Sequence, residues 1–205
     1  MSRRRPIVAI DGPAGAGKST AARRLAERLG FVLIDTGALY RGVALAAKER
    51  GVDWDDGEGL GRLAAALALR FGPVAEGGRP PLFVDGRDRS EEIRSPEIAR
   101  GASEVSSHPP VREALLGVQR RMGERGGVVL EGRDIGTVVF PDADVKVFLT
   151  ASDDARAHRR HAELRSRGAA AGVEDVRRSL EERDRRDAGR AAAPLRRADD
   201  AVLVD

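Results

Sequence analysis

The chain has no cysteine. Disulfides and thiolate-bound metals are therefore excluded, which fits a reducing cytoplasm, the compartment expected here. Asparagine is absent too. No N-glycosylation acceptor exists, and the guanine-reading Asn-Lys-x-Asp element of a GTPase cannot be built. Aromatics are scarce, with one Trp, one Tyr and five Phe, so aliphatic side chains must fill the core. Long hydrophobic runs are missing. After basic residues 1–5 only the short apolar stretch 6–10 follows, too short for a signal-peptide core. No run approaches a membrane span, and no membrane partner is expected. Lysine is nearly absent: only Lys18, Lys48 and Lys146 occur among 36 basic residues.

What is present suits one α/β domain with an insertion. The chain has 205 residues, 41% of them hydrophobic. Its net charge is only +3 because 33 acidic residues offset the arginines. Most arginines fit solvated helix faces of mixed sign. A minority suits an anion-binding cluster, since guanidinium presents a planar fork to phosphate oxygens. The interleaved acids and the few aromatics argue against a nucleic-acid partner, although the basic balance leaves a nucleic-acid-binding ATPase module open.

Residues 6–10 read as a buried strand, followed by a glycine-rich turn and a helix from Lys18. That helix carries Ala21, Ala22, Leu25 and Leu29 as its apolar stripe, and Gly30 stops it. Residues 31–34 form a second buried strand, so the unit is strand–helix–strand with parallel strands. Helices follow over about 38–50 and 57–69. Residues 69–88 read as a small antiparallel insertion ending in the hairpin turn Asp85-Gly86. Helices resume at 95–106 and 110–124, then buried strands at 128–130 and 145–149. Two very charged helices cover 152–167 and 173–188, and a last strand lies at 201–204. The stretches 169–171 and 184–197 read as flexible junctions.

The chemistry begins at Gly12-Pro13-Ala14-Gly15-Ala16-Gly17-Lys18-Ser19-Thr20. This is a G-x-x-x-x-G-K-[ST] phosphate loop, in place after a strand and at a helix start. The glycines let main-chain N–H groups turn inward, and the helix N-terminus adds positive potential. Lys18 supplies a point charge to the β- and γ-phosphates, and Ser19 offers its hydroxyl to Mg²⁺. A nucleoside triphosphate with Mg²⁺ is the expected ligand, and a small kinase the expected class.

Further candidates stand at strand ends, where parallel α/β sheets bind ligands. Thr36 can bond an acceptor phosphate and Arg41 can fork onto it, with Tyr40 beside them. The alternative, Thr36 as a helix cap and Tyr40 as packing, stays open. Glu131-Gly132-Arg133-Asp134 follows the third strand. Arg183, Asp187 and Arg190 fall at i, i+4 and i+7, one face of a helix.

The blocks 10–20, 35–41 (Asp-Thr-Gly-Ala-Leu-Tyr-Arg) and 131–141 (Glu-Gly-Arg-Asp-Ile-Gly-Thr-Val-Val-Phe-Pro) resemble the bacterial cytidylate kinases, as does 183–190. The likeness runs from residue 6 to residue 205 in matching order. Family members usually continue past the last strand into a further helix, whereas this chain stops at Asp205.

The resemblance implies a P-loop nucleoside monophosphate kinase fold: a five-stranded parallel core sheet with helices on both faces, a monophosphate-binding lobe with a small antiparallel insertion, and a helical lid. The core would be 6–37, 126–152 and 171–205, the lobe about 38–125 and the lid about 153–170. It implies transfer of the γ-phosphoryl group of ATP to CMP or dCMP in pyrimidine nucleotide metabolism, by a monomer. Arg41 and Arg133, helped by Thr36 and Tyr40, would hold the acceptor phosphate. Ser103, Arg112 and Asp134 would read cytosine. Arg183 and Asp187 would hold the ribose, with Arg190 nearby. Lys18, Arg133, Arg183 and the lid residue Arg159, with Arg156 and Arg160 close in sequence, would neutralise charge during transfer. A P-loop kinase for another small acceptor remains the rival reading.

Overall fold

The computed structural model describes residues 5–74, 78–166, 168 and 171–205. Its strands are β1 (Ile7–Asp11), β2 (Val32–Asp35), β3 (Leu69–Phe71), β4 (Leu82–Val84), β5 (Arg87–Asp88), β6 (Val128–Glu131), β7 (Val145–Leu149) and β8 (Val202–Val204). Its α-helices are α1 (Lys18–Leu29), α2 (Thr36–Arg50), α3 (Gly57–Ala66), α4 (Pro96–Val105), α5 (Pro109–Gly123), α6 (Asp153–Ser166) and α7 (Val173–Gly189).

β1 occupies the centre of a five-stranded sheet ordered β2-β6-β1-β7-β8, and every pairing in it is parallel. Alternation along the strands builds two cores. Ile7 and Ala9 with Ile34 and Leu130 face one side, together with Ile135, Val139 and Phe140. Val8, Ile10, Leu33 and Val129 face the other and meet Ala22 and Ala26 of α1. The chain leaves β1 toward β2 on one flank and leaves β6 toward β7 on the other. Adjacent strands whose connections part in this way open a crevice at their carboxyl ends, where such sheets take ligands.

A third core fills the stretch between β2 and β6. There α2 through α5 pack around Leu39, Val43, Leu60, Leu115 and the three-stranded antiparallel sheet β3-β4-β5. Asp85 and Gly86 both have positive φ (49° and 80°), the geometry of a tight hairpin turn. Asp56 caps α3 by accepting from the Gly59 amide at 2.8 Å.

Several local expectations need correction. α2 begins at Thr36 rather than Ala38, because Asp35 caps it by accepting from the Ala38 amide at 3.1 Å. α3 ends at Ala66, not Leu69, since Leu67 turns extended and Leu69 pairs with Val84. On α1 the buried stripe is Ala22 and Ala26, and Leu29 is 43% exposed. β7 is only half-buried, with Val145 at 45% exposure, because its outer neighbour β8 is a three-residue edge strand. Residues 184–189 are helix rather than junction: α7 runs to Gly189 and buries Asp187 at 1% exposure. Residues 167, 169 and 170 of the expected helix end and junction lie outside the described residues.

Gly101 of α4 lies under the only tryptophan, and a Cβ there would stand 2.4 Å from Trp54 Cζ2. Trp54 is tied in place by Nε1 donating to the Ala44 carbonyl at 3.1 Å. Gly101→Ala should therefore lower stability to denaturant by about 1–3 kcal/mol through overpacking, read by the fluorescence of Trp54.

Candidate active site

One cavity of about 540 Å³ lies over the carboxyl edge of the sheet. Its first wall is the glycine loop. Gly12 (φ 146°) turns so closely past β7 that a Cβ would stand 2.0 Å from the Leu149 carbonyl oxygen. α1 starts at Lys18 behind the N-cap Gly17, with no side-chain cap and no acidic residue in its first turn. Its leading N–H groups thus lack intrahelical partners and face the cavity with the positive end of the helix. Lys18 is 6% exposed and its Nζ donates to the Pro13 carbonyl at 2.6 Å. Burial first, and then Arg133, pull its pKa well below the usual lysine value.

The opposite wall is rich in cations. Arg41, Arg112, Arg133, Arg183 and Arg190 line it with Thr36, Tyr40, Asp134 and Asp187. Asp187 accepts from Arg133 Nε at 2.9 Å and pairs with Arg190. Burial works against that charge, but Arg133, Arg190 and Arg183 outweigh it and hold the carboxyl below its ordinary range. Asp134 pairs with Arg112, and both are nearly buried. Arg112 also donates to the Ser106 carbonyl at 3.2 Å.

Arg183 stands apart from these pairs. Its Nε is buried without a hydrogen-bond partner. Burial and then the neighbouring Arg133 push its pKa down to about 9, with Arg41 and Arg160 adding to the crowding. Arg41 Nε and Arg190 Nε on the same wall are buried without a partner as well, and cations gathered this closely and left unsatisfied fit an anion brought in from outside.

Where the two walls meet, Ser19 Oγ donates to Glu131 Oε2 at 2.8 Å. Glu131 is 5% exposed, and burial followed by repulsion from Asp35 pushes its pKa up to about 7. Burial also opposes the Asp35 charge, yet Arg41 at 2.6 Å and the Ala38 amide keep its carboxyl below the usual range.

The cavity brings together Ala14, Gly15, Gly17, Lys18, Ser19, Thr20, Thr36, Tyr40, Arg41, Arg112, Arg133, Asp134, Arg159, Arg183, Asp187 and Arg190. Gly12, Pro13 and Ala16 belong to the loop but do not line the cavity. Thr36 Oγ1 donates to the Glu131 carbonyl at 2.8 Å. Arg159 Nη1 donates to the Ala16 carbonyl at 3.2 Å, which sets it over the loop. Arg156 instead clasps the loop from below, donating to the Ala14 carbonyl at 3.0 Å and pairing with Asp184. Ser103 does not line the cavity; its Oγ accepts from Arg186 at 2.7 Å. Ser106, one turn further along, does line it, and its Oγ accepts from Arg190 at 2.7 Å. Arg190 sits one residue beyond α7, at its C-cap. Arg79, Arg94, Ser106 and Glu163 also line the cavity. Sequence reasoning missed them: they belong to no motif, and only packing brings them in, Arg79, Arg94 and Ser106 from the lobe and Glu163 from α6.

A glycine loop at the end of a central parallel strand, facing an arginine-rich wall across one cleft, defines a P-loop phosphotransferase. A family profile for cytidylate kinases matches residues 8–205, and this chain belongs to the cytidylate kinase family. A cytidylate kinase of Pelotomaculum thermopropionicum is 54% identical over 200 residues, covering 98% of this chain and 88% of that protein. One of Syntrophotalea carbinolica is 52% identical over 202 residues, covering 98% and 85%. Among solved structures, an uncharacterized protein from Eubacterium ventriosum superposes with a TM-score of 0.50 at 13% identity, covering 98% of this chain and 88% of that one. That likeness speaks for the fold alone.

The raised pKa of Glu131 has a direct consequence for stability. The folded state keeps this proton between the ordinary glutamate value of 4.5 and about 7, and the unfolded chain does not. Its favourable contribution is complete below the unfolded value and is lost as pH rises through the folded one. Glu131→Gln should remove that loss. Its unfolding free energy relative to wild type should rise between pH 5 and pH 8 by on the order of a few kcal/mol, measured by denaturant titration.

Proposed function

We propose that this protein is a (d)CMP kinase, moving the γ-phosphoryl group of ATP to CMP or dCMP and releasing ADP with CDP or dCDP. The observation that carries the reading is the buried Arg112–Asp134 pair in the same cavity as the glycine loop. Cytosine offers an N4 amine beside N3 and O2. Asp134 accepts from the amine, and Arg112 donates to N3 or O2. Uracil places an oxygen where the amine was, against the Asp134 carboxylate. Sites built on buried polar pairs discriminate strongly when one pair is left unmade. Membership in the cytidylate kinase family supports the same conclusion.

In this reading the amides of the glycine loop and the start of α1 hold the donor phosphates, with Lys18 as point charge. Arg41 and Arg133, with Thr36 and Tyr40, hold the acceptor phosphate. Arg183 and Asp187 hold the ribose, with Arg190 nearby, and Ser103 serves the base site from α4 without lining the cavity itself. An acceptor phosphate oxygen attacks the γ-phosphorus in line as the bond to ADP breaks. Lys18, Arg133, Arg183 and Arg159 spread the charge of the transferring group, so catalysis is positioning plus preorganised electrostatics. The lobe of residues 38–125 and the lid of residues 153–170 close over both substrates and exclude water.

The oxygen donors of Ser19 and Glu131 suit a hard cation. Ser19 and Glu131 meet beside the loop, and among the described residues no cluster of three His, Cys, Asp or Glu forms a closed metal cage. Mg²⁺ would then arrive with the ATP phosphates, held from the protein side by Ser19, and would shield phosphate charge. Among the described residues no helix is long and apolar enough to cross a membrane. In this reading the enzyme works in the cytoplasm as a monomer on free nucleotides, with no nucleic-acid or membrane partner.

Initial rates of ADP release across CMP, dCMP, UMP, AMP and GMP test the assignment. Turnover should be highest with CMP or dCMP; turnover with AMP or GMP and none with CMP would overturn it. Asp134→Asn places a donor amide where uracil has an oxygen. It should lower the preference for CMP over UMP by about tenfold or more.

A further inference from the structure

β1 ends in a carboxylate that phosphate binding does not use. Asp11 precedes Gly12 and is 5% exposed. Its Oδ1 accepts from the Ile135 amide and its Oδ2 from the Gly136 amide, each at 2.8 Å. These two amides open the π-helical turn Ile135–Val139, immediately after Arg133 and Asp134. A third bond, from the Gly132 amide to the Ile10 carbonyl at 3.0 Å, grips the same segment on its other side. Arg133 and Asp134 thus hang between two attachments to the end of β1. Asp134 itself is neither helical nor extended (φ −146°, ψ 23°). No regular ladder directs its side chain toward Arg112.

The carboxylate is kept there at a cost. Burial raises its pKa to about 6 despite both amides; Asp134 adds to the rise and Lys18 opposes it. Packing leaves little slack. A Cβ on Gly136 would stand 3.4 Å from Asp11 Oδ2 and 3.1 Å from Lys146 Cδ. The Lys146 stem is the tight neighbour here, and the carboxylate oxygen stands at ordinary contact distance. The Lys146 ammonium is turned away, onto Asp200 and the Pro141 carbonyl.

We infer that Asp11 is a positioning residue that sets the acceptor-binding pair Arg133–Asp134 in register with the glycine loop. The inference rests on the (d)CMP kinase reading. The residue that ends the central strand leads into the donor cradle through its backbone and holds the acceptor site through its side chain. A donor and an acceptor phosphate must meet in line, so an error at this joint misplaces them without weakening the loop itself.

Asp11→Asn keeps the shape but turns an NH₂ group toward one of the two amides. ADP release with CMP and with UMP, ATP KM and the thermal unfolding midpoint are measured for wild type and variant. The expected result is a fall in kcat of about a hundredfold for displacement near 1 Å. The CMP-over-UMP ratio should fall by about tenfold, with ATP KM within about threefold of wild type. A role in stability alone would lower the midpoint and leave kcat per folded molecule and the ratio unchanged, which would overturn the inference. If Asp11→Asn does not fold, Asp11→Ser decides. It takes both carboxylate oxygens away from the Ile135 and Gly136 amides, and a folded Asp11→Ser with unchanged kcat and ratio overturns the inference equally. Wild-type protein that releases no ADP with CMP overturns the kinase reading, and this inference with it.

Discussion

The site depends on positive charge that the protein does not fully neutralise. The start of α1 is uncapped, Lys18 is held by a single loop carbonyl, and Arg183 Nε is buried without a partner. Each arrangement costs stability in isolation. Together they concentrate positive potential over the carboxyl edge of the sheet, where phosphate oxygens supply what the side chains lack. Asp187, Asp134 and Asp35 do not cancel this field. The carboxylates are committed to particular arginines and aim them: Asp187 orients Arg133 and Arg190, Asp134 orients Arg112, and Asp35 orients Arg41.

The sheet makes that concentration possible. β1 and β6 lie side by side and buried, so their last residues and the segments that follow emerge next to each other. The glycine loop leaves one strand and the Arg133–Asp134 segment leaves the other. The lobe built on α2 to α5 has its own core and contributes Tyr40, Arg41, Ser106 and Arg112 from one side. α6 and α7 bring Arg159, Arg183 and Asp187 from the other, and their small apolar core includes Ala14 of the loop itself. Three packing units therefore meet at one cavity, a geometry suited to closure around substrates.

Legibility in the sequence follows how local each feature is. The glycine loop could be read outright, because turn, helix start and lysine all lie within nine residues of one another. The same holds for the hairpin at Asp85-Gly86, whose turn chemistry is written in two residues. Boundaries set by tertiary contact were harder. α3 reads as helix through Leu69 because its alanine-rich pattern continues, yet pairing with β4 draws Leu69 into a strand. Ser103 in the last turn of α4 and Ser106 at its C-cap lie three residues apart, and spacing alone does not say which faces the cavity. Arg79 and Arg94 had no local signal at all, since they approach only through the folded insertion. The π-helical turn was equally hidden: its geometry answers to Asp11, more than a hundred residues earlier.

The account requires both nucleotides to occupy one cavity, phosphate facing phosphate, between the glycine loop and the arginine wall. Isothermal titration with adenosine and cytidine joined through a five-phosphate bridge tests this directly. The account predicts one molecule bound per chain, more tightly than either nucleotide alone, with ATP and CMP each excluded once it is bound. Binding of the bridged compound that leaves the CMP site free, or two such molecules per chain, would contradict it.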